Sequence, residues 1–119
     1  MRIGKTFTFD AAHFIEGHPK CGQMHGHTWK LGVILEGEPN KNGFIIDFHD
    51  FKKIVNSVII QEVDHKCLND VFDFTPTSEN IVRWIWQKLE PVFTAYNIKL
   101  KEIKLYESPD SWVSYYGQK

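Results

Sequence analysis

The sequence predicts an α+β domain in which a four-stranded, mostly antiparallel sheet carries two helices on one face, in the order ββααββ. Three observations predict it. Apolar residues alternate with polar ones near both ends of the chain, around Phe7 and Phe9 and again around Ile103 and Leu105. Between those ends, apolar residues recur at spacings of three and four over 48–63 and 81–93. The chain has 119 residues, the size of one domain, and no linker, repeat or low-complexity tract divides it, so 1–119 reads as a single domain.

Residues 3–13 alternate around Ile3, Phe7 and Phe9 and read as the first strand. Residues 14–24, with His18-Pro19-Lys20 and Gly22, form a loop. The second strand starts near His25 and runs through Trp29, Leu31, Val33 and Leu35 to about Glu36. The turn-rich stretch 37–43 suggests that Phe44-Ile45-Ile46 folds back to pair antiparallel with it. Asp47 is placed to cap a helix whose stripe is Phe48, Phe51, Val55, Val58, Ile59 and Val63. After a polar-aromatic connection over 64–75, Thr77 can cap a second helix, and Glu79 lies at its positive end. That helix is apolar at Ile81, Val82, Ile85, Leu89 and Phe93, with Trp84 and Trp86 widening the stripe, and Pro91 is expected to kink or end it. Ile98 to Leu100 and Ile103 to Glu107 alternate as a strand, but the parity slips at Lys101-Glu102, which predicts a bulge. Residues 111–116 make the last strand after the turn Ser108-Pro109-Asp110. Two helices cover only one sheet face. A chain with nine Phe, four Trp and four Tyr is expected to cover the other by assembling with copies of itself.

Composition excludes several function classes. Lys and Arg number 14 against 15 Asp and Glu, a net charge of −1, which argues against a dedicated nucleic-acid or anionic-membrane binder. With 42% apolar and 24% charged residues, disorder of the whole chain is excluded. No apolar run approaches the roughly 20 residues that span a bilayer. The start, Met1-Arg2-Ile3-Gly4-Lys5, carries no apolar signal core, so the cytoplasm is the expected location and Cys21 and Cys67 the expected free thiols.

The sharpest local pattern is Cys21-Gly22-Gln23-Met24-His25-Gly26-His27. On a strand, residues two apart share a face, so His25 and His27 can hold one ion, and an antiparallel neighbour can bring His13 alongside. Three imidazoles with no evident fourth protein donor describe a zinc site with one open position. The plainer alternative is a surface strand with two polar positions. Cys21, near a cation and imidazoles, would favour its thiolate and act as base or nucleophile. A buried small hydrophobe and a fourth, site-closing zinc ligand are its alternatives. Asp64-His65 can be an acid–base pair at a helix end, although the residues alone favour a solvated terminus where His65 and Lys66 complement the helix dipole. Glu107 shares the inward parity of Ile103 and Leu105. An inward carboxylate needs a partner, and a ligand presenting two adjacent N–H groups would suit it, as would solvent or an arginine. His18, His49 and Cys67 read as a loop residue, an exposed first-turn residue and a packed corner.

Together these residues resemble the 6-pyruvoyltetrahydropterin synthase family over almost the whole chain. The matching pieces are Phe9-Asp10-Ala11-Ala12-His13, Cys21-x-x-x-His25-Gly26-His27, Gly43-Phe-Ile-Ile-Asp47-Phe48, Asp64-His65-x-x-Leu68-Asn69, Pro76-Thr77-Ser78-Glu79-Asn80 and Glu107-Ser108. The resemblance implies the tunnelling fold, in which subunits join their sheets into a barrel, commonly a hexamer of two stacked trimers. It implies Zn2+ on His13, His25 and His27, Cys21 as the proton-abstracting base, and Asp64 and His65 as its relay partner. Glu107 would anchor the pterin ring, with Thr77 and Ser78 as further pterin contacts. The three-residue gap between Cys21 and His25 is similar to the bacterial branch that makes 6-carboxytetrahydropterin for queuosine. The implied substrate is 7,8-dihydroneopterin triphosphate, with Lys20 and Lys66 as candidate cations for its phosphates. The family's pyruvoyl product, or a non-catalytic zinc-stabilised assembly module, are the alternatives.

Overall fold

The computed structural model describes residues 1–18 and 22–118. Strand β1 (Arg2–His13) and strand β2 (His25–Glu36) form a long antiparallel hairpin in which His13 lies opposite His25 and Ala11 opposite His27. Strand β4 (Lys99–Ser108) pairs with β2, and β5 (Ser111–Tyr115) pairs with β4. A two-residue strand, β3 (Lys66–Cys67), lies parallel to β1 at Ala11 and Ala12, so the sheet has five strands in the order β3-β1-β2-β4-β5. The four expected strands are present, and β3 is an addition that alternation could not reveal.

Alternation sorts the strands into two faces. Phe7, Phe9, Trp29, Leu31, Val33, Ile103 and Leu105 are buried on one. Across from them lie α1 (Phe48–Val55), α2 (Gln61–Val63), the short α3 (Leu68–Val71) and α4 (Ser78–Ala95), which supply Phe51, Val55, Val63, Leu68, Ile81, Ile85, Leu89 and Phe93. The bulge falls where the parity slips: Ile34 pairs with Glu102 and Leu35 with Leu100, leaving Lys101 as the extra residue. It returns both Leu100 and Ile103 to the core face. Both caps form, His49 N donating to Asp47 Oδ1 at 2.7 Å and Asn80 N donating to Thr77 Oγ1 at 3.1 Å.

Three expectations are corrected. Phe44, Ile45 and Ile46 are not a strand, because Asn40 folds the segment around itself: its side chain accepts from Asn42 N and Phe44 N, and its backbone N–H donates to Phe44 O. Ile45 and Ile46 still pack against the core from that loop. The helix that begins at Phe48 is not uniform. It passes through a π-helical stretch, Asn56–Ile60, between α1 and α2, and Phe48 at its start is exposed. Pro91 does not end α4, which runs on to Ala95. Proline frees the carbonyl four residues back, and Gln87 there is exposed, so water can take the bond. The second sheet face is mixed: Thr6, Thr8, Asp10, Thr28, Lys30 and Trp112 are exposed there, with Ile34, Lys104 and Tyr106 half-buried. What remains open is an edge: β3 pairs with β1 only at Ala11 and Ala12. No helix is long and apolar enough to cross a membrane.

Candidate metal and active site

The site lies where β1 and β2 outrun the helices. His13, His25 and His27 sit on the helix-covered face, in line with Trp29, because their odd numbering continues the core parity of both strands. Their rings meet, with centroids 4.6 Å apart for His13 and His25, 4.7 Å for His25 and His27, and 5.4 Å for His13 and His27. Glu107, at the end of β4, joins them. One donor atom from each of the four residues falls within 4.8 Å of all the others.

Backbone carbonyls fix two of the rings. His13 Nδ1 donates to Pro76 O at 2.9 Å and His25 Nδ1 donates to Gln23 O at 2.8 Å. A ring that donates through Nδ1 keeps its lone pair on Nε2. His13 is only 2% exposed, and its Nε2 has no hydrogen-bond partner, nor has that of His27. His27 Nε2 is 3.1 Å from Glu107 Oε1 and His13 Nε2 is 3.9 Å from it, yet the approach is off the direction a hydrogen bond needs. Burial holds the His27 imidazole below the ordinary histidine range, with the Glu107 carboxylate opposing this and His25 and His13 reinforcing it. Neutral imidazoles with unused, buried nitrogens pointed at one another are the donor set a divalent zinc ion takes. The residues fit the ion.

The segment before α4 buttresses this cluster. Pro76 holds His13 through its carbonyl, and Ser78 Oγ donates to Glu107 Oε2 at 3.1 Å. Thr77, expected beside Ser78 as a ligand contact, spends its hydroxyl on the helix cap. The role of Pro76 is a backbone one, which no side-chain pattern signals. Glu107 is a fourth donor that the sequence reading did not place beside the histidines.

Asp64 and His65 form a second cluster with Asp10. Asp64 ends α2, and His65 follows it in the left-handed region at φ 59°. Asp10 clamps both: its N–H donates to Asp64 Oδ1 at 3.0 Å and its carbonyl accepts from His65 N at 2.6 Å. Thr28 Oγ1 in turn donates to Asp10 Oδ1 at 2.6 Å. The His65 ring is 78% exposed, with Nε2 3.5 Å from Asp64 Oδ2. His65 and His27 line one cavity along the sheet edge. Lys66 behaves as the helix-end reading expects, donating from Nζ to Gln61 O at 3.3 Å. Cys67 is a free thiol, half-buried, with Sγ 3.6 Å from Met24 Sδ. Cys21 and Lys20 lie outside the described residues.

Comparison with known proteins places this geometry. The pattern of the family described as 6-pyruvoyl tetrahydropterin synthase matches residues 2–118. A relative from Haemophilus influenzae, named 6-carboxy-5,6,7,8-tetrahydropterin synthase, is 33% identical over 97% of this chain and 98% of its own. A relative from Pyrococcus furiosus, named dihydroneopterin monophosphate aldolase, is 40% identical over 89% of each chain. The solved structure of Caenorhabditis elegans 6-pyruvoyl tetrahydropterin synthase superposes with a TM-score of 0.87 at 26% identity, covering 99% of this chain and 96% of that one.

Proposed function

The chain belongs to the 6-pyruvoyl tetrahydropterin synthase family, and from that premise we propose that it is a zinc-dependent lyase. The reaction converts 7,8-dihydroneopterin triphosphate and one water to 6-carboxy-5,6,7,8-tetrahydropterin, releasing acetaldehyde and triphosphate, in queuosine biosynthesis. The observation that carries the proposal is the pair of unpartnered, buried ring nitrogens on His13 and His27 beside Glu107. The carboxy branch is supported by the name of the Haemophilus influenzae relative and by the three-residue spacing from Cys21 to His25.

His13, His25 and His27 hold the zinc ion, whose Lewis acidity, when bound, polarises substrate hydroxyls and acidifies the neighbouring C–H. Glu107 accepts the N–H edge of the pterin ring as a charged acceptor, and Ser78 fixes its second oxygen. Thr77 caps α4 and so fixes the backbone from which Ser78 reaches Glu107. Cys21, four residues ahead of His25, removes the substrate proton as thiolate. His65 returns a proton from the solvent side, with Asp64 Oδ2 beside its Nε2 at 3.5 Å. The open edge of β1 supports the barrel assembly that the family resemblance implies, a hexamer of two trimers.

Incubation with 7,8-dihydroneopterin triphosphate and mass analysis of the products tests this. Acetaldehyde with the 6-carboxy product is expected. A 6-pyruvoyl product, or turnover of the monophosphate only, as the name of the Pyrococcus furiosus relative suggests for that protein, overturns it.

A further inference from the structure

The ladder between β2 and β4 ends at the pair Lys30–Tyr106, while β2 itself continues to His25. The two strands therefore fork beside the histidine cluster. A cavity of about 640 Å³ fills the fork, and its lining joins the two sides of the sheet: His27 and Glu107 come from the helix-covered face, Thr28, Lys30 and Tyr106 from the open one. A second cavity, about 500 Å³, continues along the open face. It shares Lys30 and Tyr106 with the first and adds Lys5, Lys104 and Gly32. Gly32 puts no side chain on the floor between the lysines.

The second cavity is lined by three lysines and no carboxylate, in a chain whose net charge is −1; Lys30 and Lys104 stand on the open face, whereas Lys5 shares the parity of Phe7 and Phe9 on the helix-covered face. Among the described residues, none of the three lysines is ion-paired. Two are held instead by aromatic rings: Lys30 Nζ lies 5.4 Å and Lys104 Nζ 5.3 Å from the centre of Tyr106, and Lys104 Nζ lies 4.9 Å from that of Trp112. A cation over a ring is positioned without being neutralised, so its charge stays available to an anion. The passage is thus polar end to end, with a carboxylate at Glu107 and lysines at the far end. A ligand with an N–H-rich head and a polyanionic tail fits it in one direction only.

We propose that Lys30 and Lys104 bind the triphosphate chain of the substrate along the open face of the sheet. The inference rests on the functional reading above and extends it to the phosphate subsite; Lys66, the other described candidate cation, donates to Gln61 O. It also gives a physical basis for preferring a triphosphate over a monophosphate, since the longer chain can reach both cations at once.

Calorimetric titration of the zinc-loaded protein with inorganic tripolyphosphate, and with intact 7,8-dihydroneopterin triphosphate, tests it in Lys30→Ala, Lys104→Ala and the control Lys99→Ala, an exposed lysine on the same strand. Each of the first two substitutions should weaken both ligands about tenfold or more, as loss of a charged hydrogen-bond donor does. Zinc content and the affinity for phosphate-free 7,8-dihydroneopterin should stay unchanged, and Lys30→Arg should restore most of the loss. Unchanged affinity for both ligands in both variants overturns the site. Weakened tripolyphosphate with unchanged substrate affinity assigns the groove to free polyphosphate and overturns the proposal as well. Because the readout is binding, a protein that binds the triphosphate through these lysines yet makes no 6-carboxy product would sink the functional reading and leave the subsite standing.

Discussion

Two clusters of histidine and carboxylate sit at the same end of the sheet and differ in almost every physical respect. In the first, His13 and His25 are tied by Nδ1 to backbone carbonyls and the Nε2 atoms of His13 and His27 are left without partners. In the second, Asp64 and Asp10 already accept hydrogen bonds, and the His65 ring stands in solvent. Residue type does not separate them. The difference is where the spare valence points: inward and dry in one, outward and wet in the other. A dry, convergent set of lone pairs suits an ion, whereas a wet imidazole beside a carboxylate can take and return a proton.

The contrast breaks most visibly at the metal. His25→Ala and His27→Ala should each weaken zinc binding by more than about 100-fold and abolish turnover, because a three-donor site cannot lose a donor and stay tight. Metal analysis after dialysis checks this, with circular dichroism confirming that the strands persist. His65→Ala is the converse experiment. Zinc should stay at about one per chain while turnover falls by about 10²–10⁴-fold, the range of a lost general acid or base. If His65→Ala loses zinc as His27→Ala does, the two clusters are one.

Much of the first cluster was legible in the sequence, because it depends on the one rule that strands obey without tertiary help. Period two puts His25 and His27 on one face with Trp29, and the hairpin brings His13 opposite. The caps at Asp47 and Thr77 and the bulge at Lys101 were legible for the same reason, each being a local backbone requirement. What was hidden depends on contacts distant in sequence. The carbonyl of Pro76 reaches His13 across 63 residues, and Asp10 fixes Asp64 across 54. β3 is two residues long and pairs parallel, so it has no alternation to read. The fate of Phe44 to Ile46 turned on one side chain, Asn40, whose hydrogen bonds overrode an apolar run that looked like a strand.

Ser78 and Thr77 sharpen the comparison on a smaller scale, since adjacent hydroxyls have been given different duties. Ser78→Ala removes the donor to Glu107 Oε2. A hydrogen bond to a charged group contributes about 1.5–3 kcal/mol, so pterin affinity should fall by roughly tenfold or more at unchanged zinc content. Thr77→Ala removes a helix cap and should cost about 1 kcal/mol of stability, read as a lower Tm. A pterin affinity that falls equally in both variants would return Thr77 to the ligand contacts.

The smallest effect concerns protons at the dry cluster in metal-stripped protein. Burial lowers the affinity of folded His27 for a proton, with His25 and His13 adding to this against Glu107. In the unfolded chain the same imidazole takes a proton near pH 6.5. Between that pH and the lower folded value the unfolded state binds more protons, so stability rises with pH. The contribution is therefore complete above about pH 6.5 and is lost as pH falls through the folded value. Thermal unfolding of chelator-treated protein between about pH 5 and pH 8 should show Tm falling on the acid side, and His27→Gln should flatten that fall. Titrating groups outside the cluster act alike in both proteins, so the difference between the two curves reports His27 together with its coupling to Glu107, His25 and His13. Parallel curves would mean that the folded chain holds His27 no drier than water does, and the contrast between the two clusters would lose its physical cause.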